Sequence, residues 1–277
     1  MNPRFSGRLV AARADLAAEH LRGQVAAARY AEGAPRRVAA PLLDLTAVAD
    51  PEAERATQLV HGEVFIVYEE RPDGLAWGQA ASDGYVGYVR ADGLAPAAGG
   101  GVRVTAPWSQ VYARPEARAR TGLELPCLSE VQVSGTTGGF ARLRGGGFVP
   151  RAHLAPVEDW VALAERFAGA PYLWGGRSLR GVDCSGLVQV ALIAAGRTAP
   201  RDSDMQAALV GEPLPARARL RRGDLVFWKG HVGIMRDAAT LLHANAHHMA
   251  VASEPLASAT ARIAAAGGGP VLARRRP

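Results

Sequence analysis

The sequence predicts an α+β fold, with a helical N-terminal arm, two small β-barrels and a C-terminal domain in which helices precede strands. Three observations carry this. Residues 41–96 and 101–156 are stretches of short apolar segments and glycine turns that repeat one another. They end alike, in Gly87-Tyr88-Val89 with Leu94-Ala95-Pro96, and in Gly147-Phe148-Val149 with Leu154-Ala155-Pro156. Residues 157–277 open with helical periodicity and finish in alternating, strand-like segments.

Each element has its own warrant. In residues 1–40, Leu16, Leu21, Val25 and Tyr30 recur at near-helical spacing, which predicts one or two short helices broken by Gly33-Ala-Pro-Arg-Arg. The first repeat carries an apolar strand after Gly62-Glu63 and an aromatic one around Trp77. The second carries Ser129-Glu130-Val131 and Phe140–Leu143. Short strands at regular spacing with glycine turns read as barrels. Asp83–Tyr88 reads as a hairpin whose aromatics pack a small core, with Tyr88 inside it. Glu69 and Glu70 are carboxylates of the same barrel without an assigned role. Residues 97–101 form a linker, Ala-Ala-Gly-Gly-Gly. Cys127 behaves as a small buried hydrophobe. The run from Val157 to Gly169 has an apolar i, i+3, i+4 pattern and a glycine stop, so it is a helix. Gly267-Gly-Gly-Pro270 turns into a closing strand.

Composition narrows the function classes. A chain of 277 residues has room for two or three small domains. Apolar residues make up 48% and charged residues 21%, as in ordinary soluble proteins. The net charge of +6 comes from scattered arginines with a single lysine, Lys229, so it argues for biased composition rather than a nucleic-acid groove. Arg274-Arg-Arg reads as a solvated tail. No run of 18 apolar residues exists for a membrane span, and the stretch from Met1 lacks the apolar core of a signal peptide. A cytoplasmic protein is therefore expected, in keeping with two cysteines of which one must stay reduced.

The chemistry centres on Tyr172-Leu-Trp-Gly-Gly and Asp183-Cys184-Ser185-Gly186. Asp183 is a favoured N-cap, and the apolar run Leu187–Ala195 is a buried helix stopped by Gly196. Cys184 falls in the first turn, where the helix dipole and unpaired N–H groups lower a thiol pKa. Gly186 leaves room beside the sulfur. A nucleophilic cysteine needs a base and a group that orients the base. Downstream, Gly223-Asp224 turns into Leu225–Trp228, His231 begins another alternating segment, and His243 follows twelve residues later. Adjacent strands can set His231 and His243 side by side, facing the cysteine as a thiolate–imidazolium pair with its orienter. On a strand His243, Asn245 and His247 share a face, so Asn245 is the rival orienter. His243, His247 and His248 also invite a zinc reading, but no fourth ligand joins them and their spacing is not helical. No metal or cofactor is expected.

Taken in order, Tyr-Leu-Trp-Gly-Gly, Asp-Cys-Ser-Gly-Leu, Arg201-Asp-Ser203-Asp-Met-Gln206, Gly-Asp-Leu-Val-Phe-Trp and Gly-His-Val-Gly-Ile resemble the NlpC family of bacterial cell-wall cysteine peptidases. The resemblance covers residues 157–277 and implies a papain-like domain that cleaves peptidoglycan stems, often at γ-D-glutamyl linkages. It makes Cys184 the nucleophile, His231 the base and His243 the third member. The repeats resemble the bacterial SH3-like barrels that accompany such domains. Likeness to the cytoplasmic branch of the family implies that Asp183 and Ser185 hold a free N-terminal L-Ala. By the same likeness Ser203 contacts substrate, and Tyr85 reaches in from the first barrel. The implied substrate is a murein tripeptide, L-Ala-γ-D-Glu-diamino acid, with no nucleic-acid or membrane partner. Arg201 and Asp202 are expected to pair with each other. Two other readings stand beside this one: an amidase or acyltransferase of the same fold, and a non-catalytic module that binds wall peptides. An intact Cys184–His231–His243 set argues against the latter.

Overall fold

The computed structural model describes residues 6–97, 99–119 and 121–277, so the first five residues, Ala98 of the linker and Arg120 lie outside it. The chain divides into two compact units, one running up to Val104 with Ser109–Leu154, the other comprising Thr105–Trp108 with Ala155–Pro277.

In the first unit, a single helical turn, α1 (Ser6–Leu9), is followed by β1 (Leu16–Ala18), which pairs in parallel with β2 (Arg29–Ala31). The helical arm expected here is thus replaced mostly by strand and turn. A helix would bury every third or fourth residue, whereas Leu16, Ala17 and Ala18 are buried in succession. Leu16 and Ala18 pack with Trp77 and Tyr88. Burial of that tripeptide under the barrel's aromatics outweighs its helical propensity.

The first barrel comprises β3 (Ala34–Val38), β4 (Leu42–Thr46), β5 (Arg55–Val60), β6 (Val64–Glu70), β7 (Leu75–Ala80), β8 (Val86–Arg90) and β9 (Leu94–Pro96). Its sheet runs in the order β5-β4-β8-β7-β6-β3-β9, so it takes in residues 34–38 from the stretch read as arm. Alternate residues, Leu43 and Leu45 on β4 and Phe65 and Val67 on β6, point into one apolar cluster. Glu69 pairs with Arg13 and Arg29, and Glu70 with Arg36. The second repeat builds β10 (Val102–Arg103), β11 (Trp108–Tyr112), β12 (Thr121–Pro126), β13 (Glu130–Val131), β14 (Val133–Thr137), β15 (Phe140–Leu143) and β16 (Phe148–Pro150). Five of these form a sheet in the order β12-β11-β16-β15-β14, and β10 pairs with β13. Cys127 is fully buried, as its small apolar character predicts. The two barrels are tied to each other by Arg37–Glu130 at 3.0 Å and by the Glu130 N–H donating to the His61 carbonyl at 2.8 Å.

The second unit is α+β. Helix α2 (Trp160–Glu165) starts at Asp159, whose carboxylate accepts from the N–H groups of Val161 and Ala162. A short hairpin, β17 (Arg177–Ser178) and β18 (Gly181–Val182), leads to α3 (Cys184–Ala194) and then α4 (Ser203–Leu209). The remaining strands are β19 (Glu212–Pro213), β20 (Leu225–Trp228), β21 (His231–Met235), β22 (Thr240–Asn245), β23 (Ala250–Pro255) and, after α5 (Leu256–Ala265), β24 (Ala273–Arg276). They form one sheet, β19-β24-β20-β21-β22-β23, with every neighbour antiparallel. Val226, Trp228, Met235 and Leu241 of the sheet pack with Ala259 and Ile263 of α5. Helix α3 packs against α2, β21 and β22, and all its residues but Ile193 are buried. The arginines read as a solvated tail are instead a strand inside the sheet. Arg276 grips the fully buried Asp224 with two bonds of 2.7 Å, because a buried carboxylate needs a matching charge.

Candidate active site

Cys184 is the first residue of α3, as the sequence predicts, and Gly196 at φ +75° follows the helix's far end. Asp183 caps α3 by accepting from the Gly186 N–H at 2.7 Å. A Cβ at position 186 would stand 2.3 Å from the Gly176 carbonyl oxygen, so only glycine allows the loop to press against the helix start. The thiol points at the head of β21, with Sγ 4.0 Å from the Gly230 carbonyl oxygen and the Val232 N–H directed at the sulfur. It therefore rests against both neighbours of His231.

The protonation state differs from the sequence-based expectation. Burial first, and the nearby Asp183 carboxylate second, push the Cys184 thiol up to about 12, outweighing the Val232 and Ser185 N–H groups and the Arg201 charge. Burial, reinforced by His243 and Arg262, brings His231 down to about 3. Burial thus favours a neutral thiol and a neutral imidazole over a standing thiolate–imidazolium pair. Desolvation of two charges costs more here than the first turn of one helix returns.

His231 Nε2 and His243 Nδ1 are hydrogen-bonded at 2.7 Å, with the rings 5.0 Å apart and edge-on. That bond occupies Nε2 of His231, the nitrogen on the His243 side of the ring. His243 is buried, and its Nε2 meets Glu254 Oε1 at 2.8 Å. Arg262 of α5 pairs with the same oxygen. Glu254 and Arg262 were not legible as site residues. Asn245 has a different task. It reaches the His243 carbonyl at 3.3 Å, and its Oδ1 accepts from the His248 N–H at 2.9 Å. Of the two candidate orienters, His243 is the one bonded to the His231 ring. His248 also comes within 4.8 Å of His243 and Glu254, while the His247 ring packs edge-on against His248 at 4.8 Å.

Asp183 is less available than expected. Arg201 grips it with two bonds, 2.6 and 3.0 Å, and both side chains are buried. The Gly175 N–H adds a bond of 2.8 Å and Ser185 Oγ one of 3.3 Å. Asp183 is thus helix cap and ion-pair partner as well as the residue expected to meet the substrate's amino end. Ser185 Oγ also accepts from Arg201 at 2.9 Å, and Gln206 donates to the Ser185 carbonyl at 2.9 Å. Ser203 is half-buried at the head of α4, between Arg201 and Gln206. Tyr85, only 6% exposed, belongs to the first barrel's apolar cluster with Leu45 and Phe65. Among the described residues no helix is long and apolar enough to cross a membrane.

Residues 169–263 match the NlpC/P60 family, and residues 46–94 match the bacterial dipeptidyl-peptidase Sh3 domain. The gamma-D-glutamyl-L-lysine dipeptidyl-peptidase of Bacillus subtilis (strain 168) is 34% identical over 140 residues, 44% of this chain and 46% of that protein. Dipeptidyl-peptidase 6 of Lysinibacillus sphaericus is 35% identical over 92 residues, 32% of each chain. The matched stretches thus span less than half the length of these curated relatives. In fold, the chain resembles the crystal structure of an NlpC/P60 family protein from Bacillus cereus, with a TM-score of 0.71 at 18% identity over 88% of this chain and 99% of that one.

Proposed function

We propose that this chain, which carries an NlpC/P60 domain of papain-like fold together with a bacterial dipeptidyl-peptidase SH3 domain, is a cysteine peptidase. Its bond is the γ-D-glutamyl–diamino acid linkage of murein peptides with a free N-terminal L-Ala. One observation carries the chemistry: a cysteine at a helix start lies against the backbone on both sides of a histidine whose far nitrogen is bonded to a second histidine. The relatives' names, with γ-D-glutamyl and dipeptidyl in them, support the substrate.

Cys184 Sγ attacks the γ-carbonyl carbon of D-Glu as His231 Nδ1 takes the thiol proton. The C–S bond forms, the carbonyl π pair moves onto oxygen, and the N–H of Cys184 at the helix start supports that oxyanion. Collapse breaks the C–N bond, and His231 gives its proton to the departing amine of the diamino acid. Water, deprotonated by His231, then cleaves the thioester, releasing L-Ala-γ-D-Glu and restoring the thiol. A neutral resting pair suits this order, since the proton moves only as the substrate carbonyl receives the sulfur. His243 holds the His231 ring and shares its transient charge. Ser203, the first residue of α4 and two residues after Arg201, is assigned to the substrate. Free L-Ala ends arise once the glycan is removed, so the reading places the chain in cytoplasmic murein-peptide recycling.

Initial rates on L-Ala-γ-D-Glu-diaminopimelate and on its N-acetyl form test this. The free tripeptide is expected to be cut to the dipeptide, read by mass spectrometry, and the acetylated one to be inert. Equal rates on both would remove the dipeptidyl reading and leave a cysteine peptidase. Hydrolysis persisting in Cys184→Ala would remove that as well.

A further inference from the structure

We infer that Glu254, acting through His243, sets which nitrogen of His231 carries the proton, and so is a positioning residue for the base. The inference rests on the cysteine-peptidase reading of the site, but its central test does not. Three hydrogen-bonded groups, Glu254, His243 and His231, fix one another's donors and acceptors. A carboxylate can only accept. Glu254 Oε1 stands 2.8 Å from His243 Nε2, so that nitrogen carries a hydrogen and donates it. In a neutral imidazole the other nitrogen then has only a lone pair, so Nδ1 of His243 must accept. Its partner at 2.7 Å is Nε2 of His231, which therefore holds the hydrogen. Nδ1 of His231 is left with a free lone pair, which is what a base requires. Reversing the chain would put two lone pairs face to face between Glu254 and His243.

The surrounding charges keep each group in the state this count assumes. Burial pushes the Glu254 carboxyl up, but hydrogen bonds from His243 and Arg262 more than offset it and hold the carboxylate ionised. Burial keeps His243 neutral, despite the pull of Glu254 in the other direction, with Arg262 and His248 also disfavouring its charge. Around His231 the groups that count are His243, Arg262, Glu254 and Asp183. Arg262 has a second task, since its bond to Glu254 Oε1 fixes that oxygen between α5 and His243. The pairing register explains why the carboxylate can reach. His243 stands opposite Ala252, so Glu254 is its diagonal neighbour on the same face of β22–β23.

Nitrogen-15 spectra of the histidine rings at neutral pH test the assignment without any substrate. Nε2–H is expected on both His231 and His243 in the wild type. Glu254→Gln keeps an oxygen acceptor for both donors and should retain these tautomers. Glu254→Ala should release them, giving His231 a second population with Nδ1–H. Cys184 alkylation by iodoacetamide near pH 7 should then fall by at least about 10-fold, with rescue in Glu254→Gln, because a base in the wrong tautomer cannot take the thiol proton. On the tripeptide the loss should appear in kcat with KM little changed. Nδ1–H on His231 in the wild type would overturn the inference even if Glu254→Ala failed to fold. So would unchanged tautomers and alkylation in a folded Glu254→Ala. Correct tautomers in a protein that cuts no murein peptide would fault the proposed function instead.

Discussion

At the scale of single residues the site is defined by what each ring nitrogen and sulfur already touches. His243 bonds to the His231 ring, whereas Asn245 spends its oxygen on His248 and its amide on a backbone carbonyl. His243→Ala should therefore lower kcat on the tripeptide by on the order of 10²-fold or more, the usual scale of a positioned acid–base partner. Asn245→Ala should cost much less, and a larger loss in Asn245→Ala would transfer the orienting role to it. His231→Ala should come close to Cys184→Ala, because members of one catalytic unit are not additive. Much of this was legible in the sequence. Asp183-Cys184-Ser185-Gly186 before an apolar run gives the helix, the cap and the nucleophile's position. The thiol's charge state was not legible, because a helix start lowers a thiol pKa only when solvent access keeps desolvation small. At Cys184, 7% exposed, burial dominates.

Among the elements, α3 depends on a charge pair that its sequence half reveals. The Asp183 cap could be read from its place before Cys184, but Arg201 lies 18 residues away and only the fold brings them together. The two side chains are 9% and 1% exposed, so removing either leaves a buried charge without its partner. Asp183→Ala should cost about 3–5 kcal/mol for the broken pair, with about 1 kcal/mol more for the cap. Asp159→Ala is the comparator. Asp159 caps α2 in the same way, but its partner Arg222 is 38% exposed, so the loss there should stay near the cap's share, about 1 kcal/mol. Urea unfolding of both variants measures the difference, and equal losses would show that the Arg201 pair adds nothing. The same distinction marks where sequence reading failed elsewhere. Alternation made β20, β21 and β22 visible, and the turn at Gly267–Pro270 announced the closing strand β24, but its arginines read as a tail because the partner of Arg276, Asp224, lies more than 50 residues earlier. Residues 16–18 looked helical because spacing alone carries no information about Trp77, the ring they cover. Glu254 required the register of β22 against β23, which no local pattern supplies.

For the molecule as a whole, the buried neutral pair makes stability depend on pH from both sides. His231, ordinarily near 6.5, has a folded value of about 3, and burial lowers His243 in the same direction. Between those values the unfolded chain binds protons that the folded chain refuses. Stability is therefore full above about pH 6.5 and is lost as pH falls toward 3. Glu254 and Glu165 act in the same sense at lower pH, although Glu165 is solvated enough for its share to be small. On the alkaline side the sign is set by acids held neutral. Cys184, ordinarily near 9, is pushed up to about 12, as burial also does to Tyr172, ordinarily near 10. The unfolded chain gives up these protons first, so stability falls as pH rises from about 9 toward 12. The urea midpoint followed by tryptophan fluorescence should thus be flat from about pH 7 to 8.5 and drop on either side. Each limb has its own check, because the responsible groups can be removed one at a time. His231→Gln should make the acid limb shallower, leaving the share of His243 and the carboxylates, and spare the alkaline one, and Cys184→Ala should do the reverse, leaving the share of Tyr172. An acid limb equally steep in His231→Gln would mean that the ring takes up its proton without leaving the fold. In that case the resting pair is charged, and the proton transfer precedes substrate rather than accompanying its attack.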